Sequence, residues 1–386
     1  MNSPVYLDYA ATTPVDIRVR ETLSDLYSGL YGNASSLHSF GVRAREVMEH
    51  SRKRLAGMIH AGEQELYFTS GGTESNNLAL KGVAFNKQNR GKHIIVSSIE
   101  HDCILNTCEW LRSQGFSISY LPVDSEGLVH PEILEKMITP ATILVSVMHV
   151  NNEIGTIQPV GEIGRICREA GILFHTDACQ SFGKIPIDVI SMNIDLMTLN
   201  AHKIYGPKGI GALYVKEGIT LTPLLHGGGQ ERGLRSSTEN IPAIAGFARA
   251  AELCLEEMEV ETKRQKALAD HLVKRLLVKY DNVCFNGHRI HRLVSNINVS
   301  FCGFEGETIR LLLLLDEEGI AVSAGSACSS NKAQDASHVL KAIGKDAFQA
   351  RGSIRVSLGR FTTLENIERF LVVLERNLAK LNPIFS

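Results

Sequence analysis

Two adjacent glycines and a threonine separate an apolar run from a helix-compatible stretch. Gly71, Gly72 and Thr73 follow the β-rich segment 66–70 and precede a stretch that starts at Glu74. Glycines permit a tight turn, and the free N–H groups of a following helix, together with the Thr73 hydroxyl, can bind an anion. A Thr-capped helix with no ligand has the same pattern. Taken alone, the segment therefore only suggests a phosphate site.

A carboxylate and an amine end two further β-rich segments. Asp177 closes the apolar run 172–176, where a buried carboxylate is costly without a cation. Lys203 follows the run 196–200 and is flanked by apolar residues and His202, which favours a partly desolvated amine that can form a Schiff base. An anion site, an acid and such a lysine are together the requirements of pyridoxal 5'-phosphate (PLP). His101, after the run 93–98, is a candidate to stack on the ring, although a structural role would explain it equally well.

Two residues near the C-terminus suggest the remaining chemistry. Cys328 lies in GSACSS, a run of small residues typical of an exposed loop, where a thiol can act as a nucleophile. Arg355 is embedded in an apolar strand, and its charge there calls for an anion such as a carboxylate.

The rhythm of the chain predicts how these residues are positioned. From about residue 60 to 215, short β-rich runs alternate with helix-compatible stretches, which predicts an α/β fold with a mainly parallel sheet. Ligands of such sheets bind at the carboxyl ends of the strands. A long helix-compatible run over 243–280 then predicts a bridge to a smaller α+β domain, with which the strand at 5–9 should pack. We predict a large domain at 15–260 and a small domain formed by 1–14 and 261–386.

Composition excludes several classes of protein. The 386 residues are 44% hydrophobic and carry a net charge of −2, which argues against nucleic acid or a membrane as a direct partner. No apolar stretch is long enough for a membrane helix, and the N-terminus does not read as a signal peptide, so we expect a cytoplasmic protein. The eight cysteines form no C-x-x-C pair, which disfavours a structural metal site.

Taken in order, the motifs resemble the cysteine desulfurases of the NifS/IscS type, a branch of the fold-type I PLP-dependent enzymes. The likeness runs nearly from end to end, and the pair AHKIYGPKG and GSAC is its most specific part. The matching segments are YLDYAATTP (6–14), YGNASSLH (31–38), TSGGTESNN (69–77), EH (100–101), MHVNNEIG (148–155), HTDACQ (175–180), AHKIYGPKGIGALYV (201–215), HGGGQERGLRSST (226–238), GSACSS (325–330) and SIRVSLGRFTT (353–363).

The resemblance implies cofactor-binding roles for ten residues in or next to the matching segments. Lys203 would hold PLP as a Schiff base and move protons, Asp177 would pair with the pyridinium nitrogen, Gln180 would hydrogen-bond the phenolic oxygen, and His101 would stack on the ring and exchange protons. The remaining cofactor-binding residues would be Gly72, Thr73, Asn152, Asn200, His202 and Thr238. Thr238 would come from the other subunit of a homodimer.

The resemblance also implies the reaction. Asn152 and Arg355 would contact L-cysteine, Arg355 through the substrate carboxylate. Cys328 would take the sulfur as a persulfide, leave L-alanine, and pass the sulfur to an acceptor protein for iron–sulfur cluster assembly, tRNA thiolation or related sulfur transfer. No resident metal is expected, although Cys328 could transiently ligate an iron–sulfur cluster.

Three residues depart from the pattern of the family. Asn200 stands where Ser is usual, Cys179 where Thr or Val is usual, and Ser237 where Gly usually precedes Thr238. We expect Asn200 to alter cofactor affinity, Cys179 to offer a second redox-sensitive thiol, and Ser237 to stiffen its loop.

Other functions stay open on the sequence alone. A different PLP-dependent lyase or aminotransferase would not need the Cys328 loop, and a non-catalytic sulfur or iron–sulfur scaffold lacks clustered ligand spacings. A sulfur supplier for DNA modification would use the same desulfurase chemistry.

Overall fold

The computed structural model describes residues 3–324 and 336–381. Its strands, in chain order, are β1 (Val5–Tyr6), β2 (Leu66–Thr69), β3 (His93–Ser97), β4 (Ser117–Leu121), β5 (Thr142–Ser146), β6 (Leu173–Asp177), β7 (Leu196–Asn200), β8 (Gly211–Val215), β9 (Val283–Asn286), β10 (Asn296–Phe301), β11 (Ile320–Ala321), β12 (Ser323–Ala324) and β13 (Ser353–Ser357). Its α-helices are α1 (Ile17–Gly29), α2 (Ser39–Gly57), α3 (Gly72–Lys87), α4 (Asp102–Ser113), α5 (Pro131–Met137), α6 (Val160–Ala170), α7 (Ile241–Lys279), α8 (Thr308–Glu317), α9 (His338–Ala342) and α10 (Leu364–Leu381).

The larger sheet has the strand order β2-β8-β7-β6-β5-β3-β4. Pairing is parallel from β7 through β6, β5 and β3 to β4, whereas β8 is antiparallel to both β2 and β7. Strand β2 consequently runs in the same direction as β7. The carboxyl ends of β2, β3, β5, β6 and β7 therefore lie at one edge of the sheet, where ligands of α/β proteins bind.

Burial explains why these segments form strands of an inner sheet. Every residue of β3, β5, β7 and β8 is buried, as expected for a sheet covered by helices on both faces. The helix α6 follows β5 with buried Ile163, Ile166 and Cys167 on one side, and it ends at Gly171, whose φ of 68° suits glycine. The predicted α/β fold with a mainly parallel sheet is confirmed.

The smaller sheets lie in the C-terminal part and include the N-terminus. One has the order β12-β13-β10-β9 with antiparallel pairing, and the other pairs β1 with β11 in parallel. Residues 320–324 are divided into two strands that pair with different partners, β11 with β1 and β12 with β13. The helix α8 starts at Thr308, after a turn of 3₁₀-helix at Glu305–Glu307.

The long helix α7 contributes to two hydrophobic cores. Its first half, from Ile241 to Cys254, packs in the core of the large sheet, and Leu268, Leu272 and Leu276 pack in the core of the small sheet. Asn240 caps its first turn by accepting a hydrogen bond from the Ala243 N–H at 3.2 Å. The domain limits at 14/15 and 260/261 stay predictions. In the described residues, no helix combines the length and the apolar character that crossing a membrane requires.

Candidate active site

The turn between β2 and α3, at Gly71 and Gly72, forms a backbone cradle at the start of α3. Gly71 has a φ of 154°, which favours glycine, and α3 begins at Gly72 without a side-chain cap. A Cβ atom at Gly72 would lie 2.6 Å from the Cys179 sulfur and 3.7 Å from Asn200 Nδ2. Thr73 is exposed in the first turn and does not cap the helix. The first N–H groups of α3 therefore stay available for an anion beside β7.

Asp177, the last residue of β6, is a buried carboxylate held by two donors. The Cys179 N–H donates to its Oδ1 at 2.8 Å, and the Asn76 amide donates to its Oδ2 at 2.7 Å. Burial raises the pKa of Asp177, but these hydrogen bonds outweigh burial and leave the pKa below its usual value. Asp177 is thus kept ionised and can hold a positively charged nitrogen.

Lys203 follows β7 in a turn that the N-terminal segment fixes. The Thr13 N–H donates to the His202 carbonyl at 2.9 Å, and the Tyr205 N–H donates to the Thr13 hydroxyl at 2.8 Å. Tyr205 adopts a φ of 66°, which is unusual outside glycine, and its hydroxyl accepts the Arg360 N–H at 2.7 Å. Strained backbone of this kind is retained where surrounding contacts hold it, and here it lies two residues after the lysine.

The charge of Lys203 reaches the neighbouring histidines. Burial and then the Lys203 charge lower the pKa of His101, and burial with Lys203, Lys208 and Lys184 lowers the pKa of His202 to about 4. Both imidazoles are therefore neutral at pH 7 and can accept a proton or present a flat face. Lys203 itself is half-buried and lines a cavity of about 160 Å³.

Gln180 and Lys184 extend this cavity. The Gln180 amide donates to the Ala10 carbonyl at 2.9 Å, and the Lys184 ammonium donates to Gln180 Oε1 at 3.4 Å. Burial, with the charge of Lys203 as the next cause, lowers the pKa of Lys184 to about 7. Lys184 is thereby a second amine near the site, and it fixes the orientation of the Gln180 amide.

His101 lies where α4 begins, after the carboxyl end of β3. Its Nδ1 accepts the Cys103 N–H at 3.2 Å and lies 3.1 Å from the Cys103 sulfur. The preceding Glu100 is fully buried and accepts hydrogen bonds from Ser97 Oγ at 2.5 Å and the Met148 N–H at 2.6 Å. Burial raises the pKa of Glu100 to about 8, so this carboxyl is mostly protonated at pH 7. The two contacts hold the loop that carries His101.

The predicted substrate residues Asn152 and Arg355 lie together. Arg355 donates from Nη1 to the Asn152 carbonyl at 2.9 Å and from Nη2 to Asp8 at 2.8 Å. The guanidinium is 1% exposed, and its Nε has no partner among the described residues. The anion that we predicted beside Arg355 is therefore present in part as the carboxylate of Asp8.

The other predicted residues have different surroundings. Thr238 is exposed in the loop that follows Arg235, and Arg235 donates from Nε to Glu74 at 2.7 Å, so this loop is tied to the first turn of α3. Burial raises the pKa of the Cys179 thiol well above its usual value, which argues against the redox-sensitive thiol expected there. Cys328 lies outside the described residues.

Sequence reasoning missed three residues that shape the site: Asn76 fixes Asp177, Asp8 pairs with Arg355, and Lys184 holds Gln180. Asn200, which the resemblance implies as a cofactor-binding residue, presents a buried Oδ1 that has no partner among the described residues. Asn76 and Asp8 lie in matching segments, but nothing in their local pattern indicated a contact with a residue distant in the chain.

The site has the features that PLP requires. The first N–H groups of α3 at Gly72 can bind an anion, Asp177 is kept ionised, and Asn200 has an amide next to the cradle. Comparisons with known proteins agree with this fit. The model of the family "Aminotransferase class-V" matches residues 5–370.

The chain belongs to the aminotransferase class-V family. It is 48% identical over 384 residues to "Cysteine desulfurase IscS" of Dictyoglomus turgidum, which covers 100% of this chain and 97% of the relative. Among solved structures, a "NifS-like protein" matches with a TM-score of 0.91 and 40% identity over 98% of this chain and 100% of that one. The structure "SspA in complex with cysteine" matches with a TM-score of 0.82 and 39% identity, over 93% and 99% of the two chains.

These full-length matches show that this member of the family is a PLP-dependent enzyme of the cysteine desulfurase group. The resemblance carried by the motifs is thereby confirmed, as are the fold and the cofactor. The roles of individual residues stay predictions.

Proposed function

We propose that this enzyme converts L-cysteine to L-alanine and a persulfide on Cys328, with the site residues acting as the sequence predicts. The observation that carries the proposal is the ionised Asp177, held by two hydrogen-bond donors at the sheet edge that also carries Lys203 and the cradle at Gly72. When bound, PLP supplies an electron sink for an attached amino acid.

The residues around this sink have separate tasks. Gly72, Thr73, Asn200 and His202 would hold the phosphate, and Asp177 would hold the proton of the ring nitrogen. His101, which is neutral, would cover the ring. These contacts would leave the Lys203 amine as the group that takes and returns protons beside the substrate.

Arg355 and Asn152 would orient the substrate. The Arg355 guanidinium is held by Asp8 and by the Asn152 carbonyl, and its Nε stays without a partner among the described residues. A substrate carboxylate can accept from this nitrogen.

The sulfur would leave by attack of the Cys328 thiolate. A bond forms between the two sulfur atoms, the bond between Cβ and sulfur of the substrate breaks, and a proton returns to Cβ. L-cysteine and one thiol give L-alanine and one persulfide, so the atoms balance. The persulfide would pass to an acceptor for iron–sulfur cluster assembly, tRNA thiolation or related sulfur transfer.

Product analysis tests the reaction. The purified enzyme with L-cysteine and a thiol reductant should release alanine and sulfide in equal amounts, whereas a lyase or aminotransferase would form a keto acid. Cys328→Ala should keep the absorption of bound PLP and lose persulfide, and Lys203→Ala should lose the covalent attachment of PLP. Sulfur transfer to an acceptor by Cys328→Ala would disprove the role of this thiol.

The partners and the location are part of the same proposal. We propose a cytoplasmic homodimer in which Thr238 completes the phosphate site of the other subunit. A hybrid dimer of one Lys203→Ala subunit and one Thr238→Val subunit should then contain one intact site, which binds PLP as tightly as the unmodified enzyme. If Thr238 serves its own subunit, that site in the hybrid binds PLP as weakly as Thr238→Val alone.

A further inference from the structure

Two cysteines outside the active site face each other on the small sheet. Strands β9 and β10 are antiparallel, with Cys284 opposite Ser300. Cys302 lies two positions after Ser300, so its side chain is on the same face of the sheet as that of Cys284. The two are diagonal neighbours, and their sulfur atoms are 2.9 Å apart. A disulfide has a length of about 2.05 Å, so the sulfurs need to approach by about 0.9 Å.

The surroundings allow this approach. Strand β9 is at the edge of its sheet, so it can shift without breaking a second row of strand hydrogen bonds. The Cys302 N–H donates to the Asn282 carbonyl at 2.9 Å, and the Asn282 amide donates to the Cys302 carbonyl at 2.8 Å. These contacts keep the end of β10 beside β9 and hold the two thiols together.

Exposure distinguishes Cys302 from the other cysteines that the structure describes. Cys302 is exposed, Cys284 and Cys103 are half-buried, and Cys108, Cys167, Cys179 and Cys254 are buried. A small reagent in solvent can therefore reach one sulfur with the second already in contact. The hydrogen bond with Cys284 is the main cause that raises the pKa of Cys302 to about 11, so the reaction at this thiol should be slow at neutral pH and faster in alkaline solution.

We propose that Cys284 and Cys302 form a dithiol site that undergoes exchange with small disulfides of the glutathione type. A thiolate of the pair attacks one sulfur of the small disulfide, forms a mixed disulfide and releases one small thiol. The second cysteine gives up its proton and attacks the protein sulfur of the mixed disulfide, which releases the second small thiol. The protein pair loses two electrons and two protons, and the small disulfide is reduced to two thiols.

Mass spectrometry of the PLP-loaded enzyme tests the proposal. Cys328→Ala is the parent for every variant, so that the thiol of the proposed reaction cannot contribute and the result does not depend on desulfurase activity. After incubation with oxidised glutathione and alkylation of free thiols, the parent should carry two alkyl groups fewer than the sample without glutathione, and disulfide mapping of its peptides should link Cys284 to Cys302. Dithiothreitol should reverse the change.

Single-thiol variants supply the decisive comparison. Cys284→Ser and Cys302→Ser should each leave a thiol that cannot complete the second step, so a glutathione adduct should persist on the remaining cysteine. Cys108→Ser, which removes a buried thiol, should behave like the parent. The proposal is overturned if the parent keeps a glutathione adduct on either cysteine, if it does not react, or if the mapped disulfide joins other cysteines.

Discussion

Removal of the Asn76 amide should change how acid affects cofactor binding. Asn76 is 1% exposed and donates to Asp177 Oδ2 at 2.7 Å, and the Cys179 N–H is the other donor to this carboxylate. A hydrogen bond to a charged group contributes about 1.5–3 kcal/mol. One pKa unit corresponds to about 1.4 kcal/mol, so Asn76→Ala should raise the pKa of Asp177 by about 1–2 units.

The sign of the pH effect follows from the direction of the pKa shift. In the unmodified enzyme the pKa of Asp177 is below its usual value, so the carboxylate stays ionised until the solution is strongly acidic. PLP affinity that depends on this charge is present above the pKa and is lost as the pH falls through it. In Asn76→Ala, the loss should begin about 1–2 pH units higher.

Equilibrium dialysis with PLP over a series of acidic pH values measures this shift. Asn77→Ala is the matched control, because the Asn77 amide donates to the Thr73 carbonyl at 3.0 Å rather than to Asp177. The control should keep the acid dependence of the unmodified enzyme. An unchanged acid limb in Asn76→Ala, with the fold intact by circular dichroism, would refute the reasoning that Asn76 sets the charge of Asp177.

Three other changes have defined outcomes. Asn200→Ser should remove a buried acceptor that has no partner among the described residues and should provide a serine hydroxyl that can bind the phosphate. A gain of about 1 kcal/mol corresponds to about fivefold tighter binding of PLP, which equilibrium dialysis measures. Weaker binding would contradict this. Ser237→Gly should raise the free energy of unfolding by about 1 kcal/mol in urea, because φ is 144° at Ser237, and a loss of stability would count against strain there. Glu231→Gln should lower the free energy of unfolding by about 3–5 kcal/mol in the same assay, because Glu231 and Arg52 form a buried ion pair at 2.8 Å. Glu169→Gln, which removes an exposed ion pair, should change the free energy of unfolding little. Equal effects of the two substitutions would contradict the argument from burial.

The edge of the sheet that carries the site could be predicted from the sequence, because the alternation of β-rich and helical segments indicates parallel strands. The runs before Gly71, His101, Asp177 and Lys203 are β-rich and alternate with helical stretches, and parallel strands put their carboxyl ends together. The structure adds that β8 is the one reversed strand of this sheet in the described residues, so β2 keeps the direction of its neighbours. The glycine turn lies beside Asn200 because β8 is antiparallel to both β2 and β7. The sequence pattern does not distinguish an antiparallel strand from a parallel one at this place.

Contacts between distant residues could not be predicted in this way. Asp8 and Arg355 are 347 positions apart, and Asn76 and Asp177 are 101 apart. An isolated arginine in an apolar strand indicates that an anion is needed, but local periodicity does not say whether the chain or a ligand supplies it. For Arg355 the chain supplies Asp8, and a substrate carboxylate would add to an ion pair that already exists.

Two of the three departures from the family pattern lie together in space although they are far apart in the sequence. Cys179 and Asn200 both face Gly72, since a Cβ atom placed there would contact the sulfur and the amide of these two side chains. Both departures therefore change the side chains beside Gly72. Because the Cys179 thiol is buried and has a raised pKa, it does not supply a charge there. Ser237 bears a backbone conformation suited to glycine. The Cys179 side chain and the Asn76 amide both hydrogen-bond the Asp177 carboxylate and lower its pKa, so the charge that the cofactor needs is maintained while the affinity for its phosphate is free to differ.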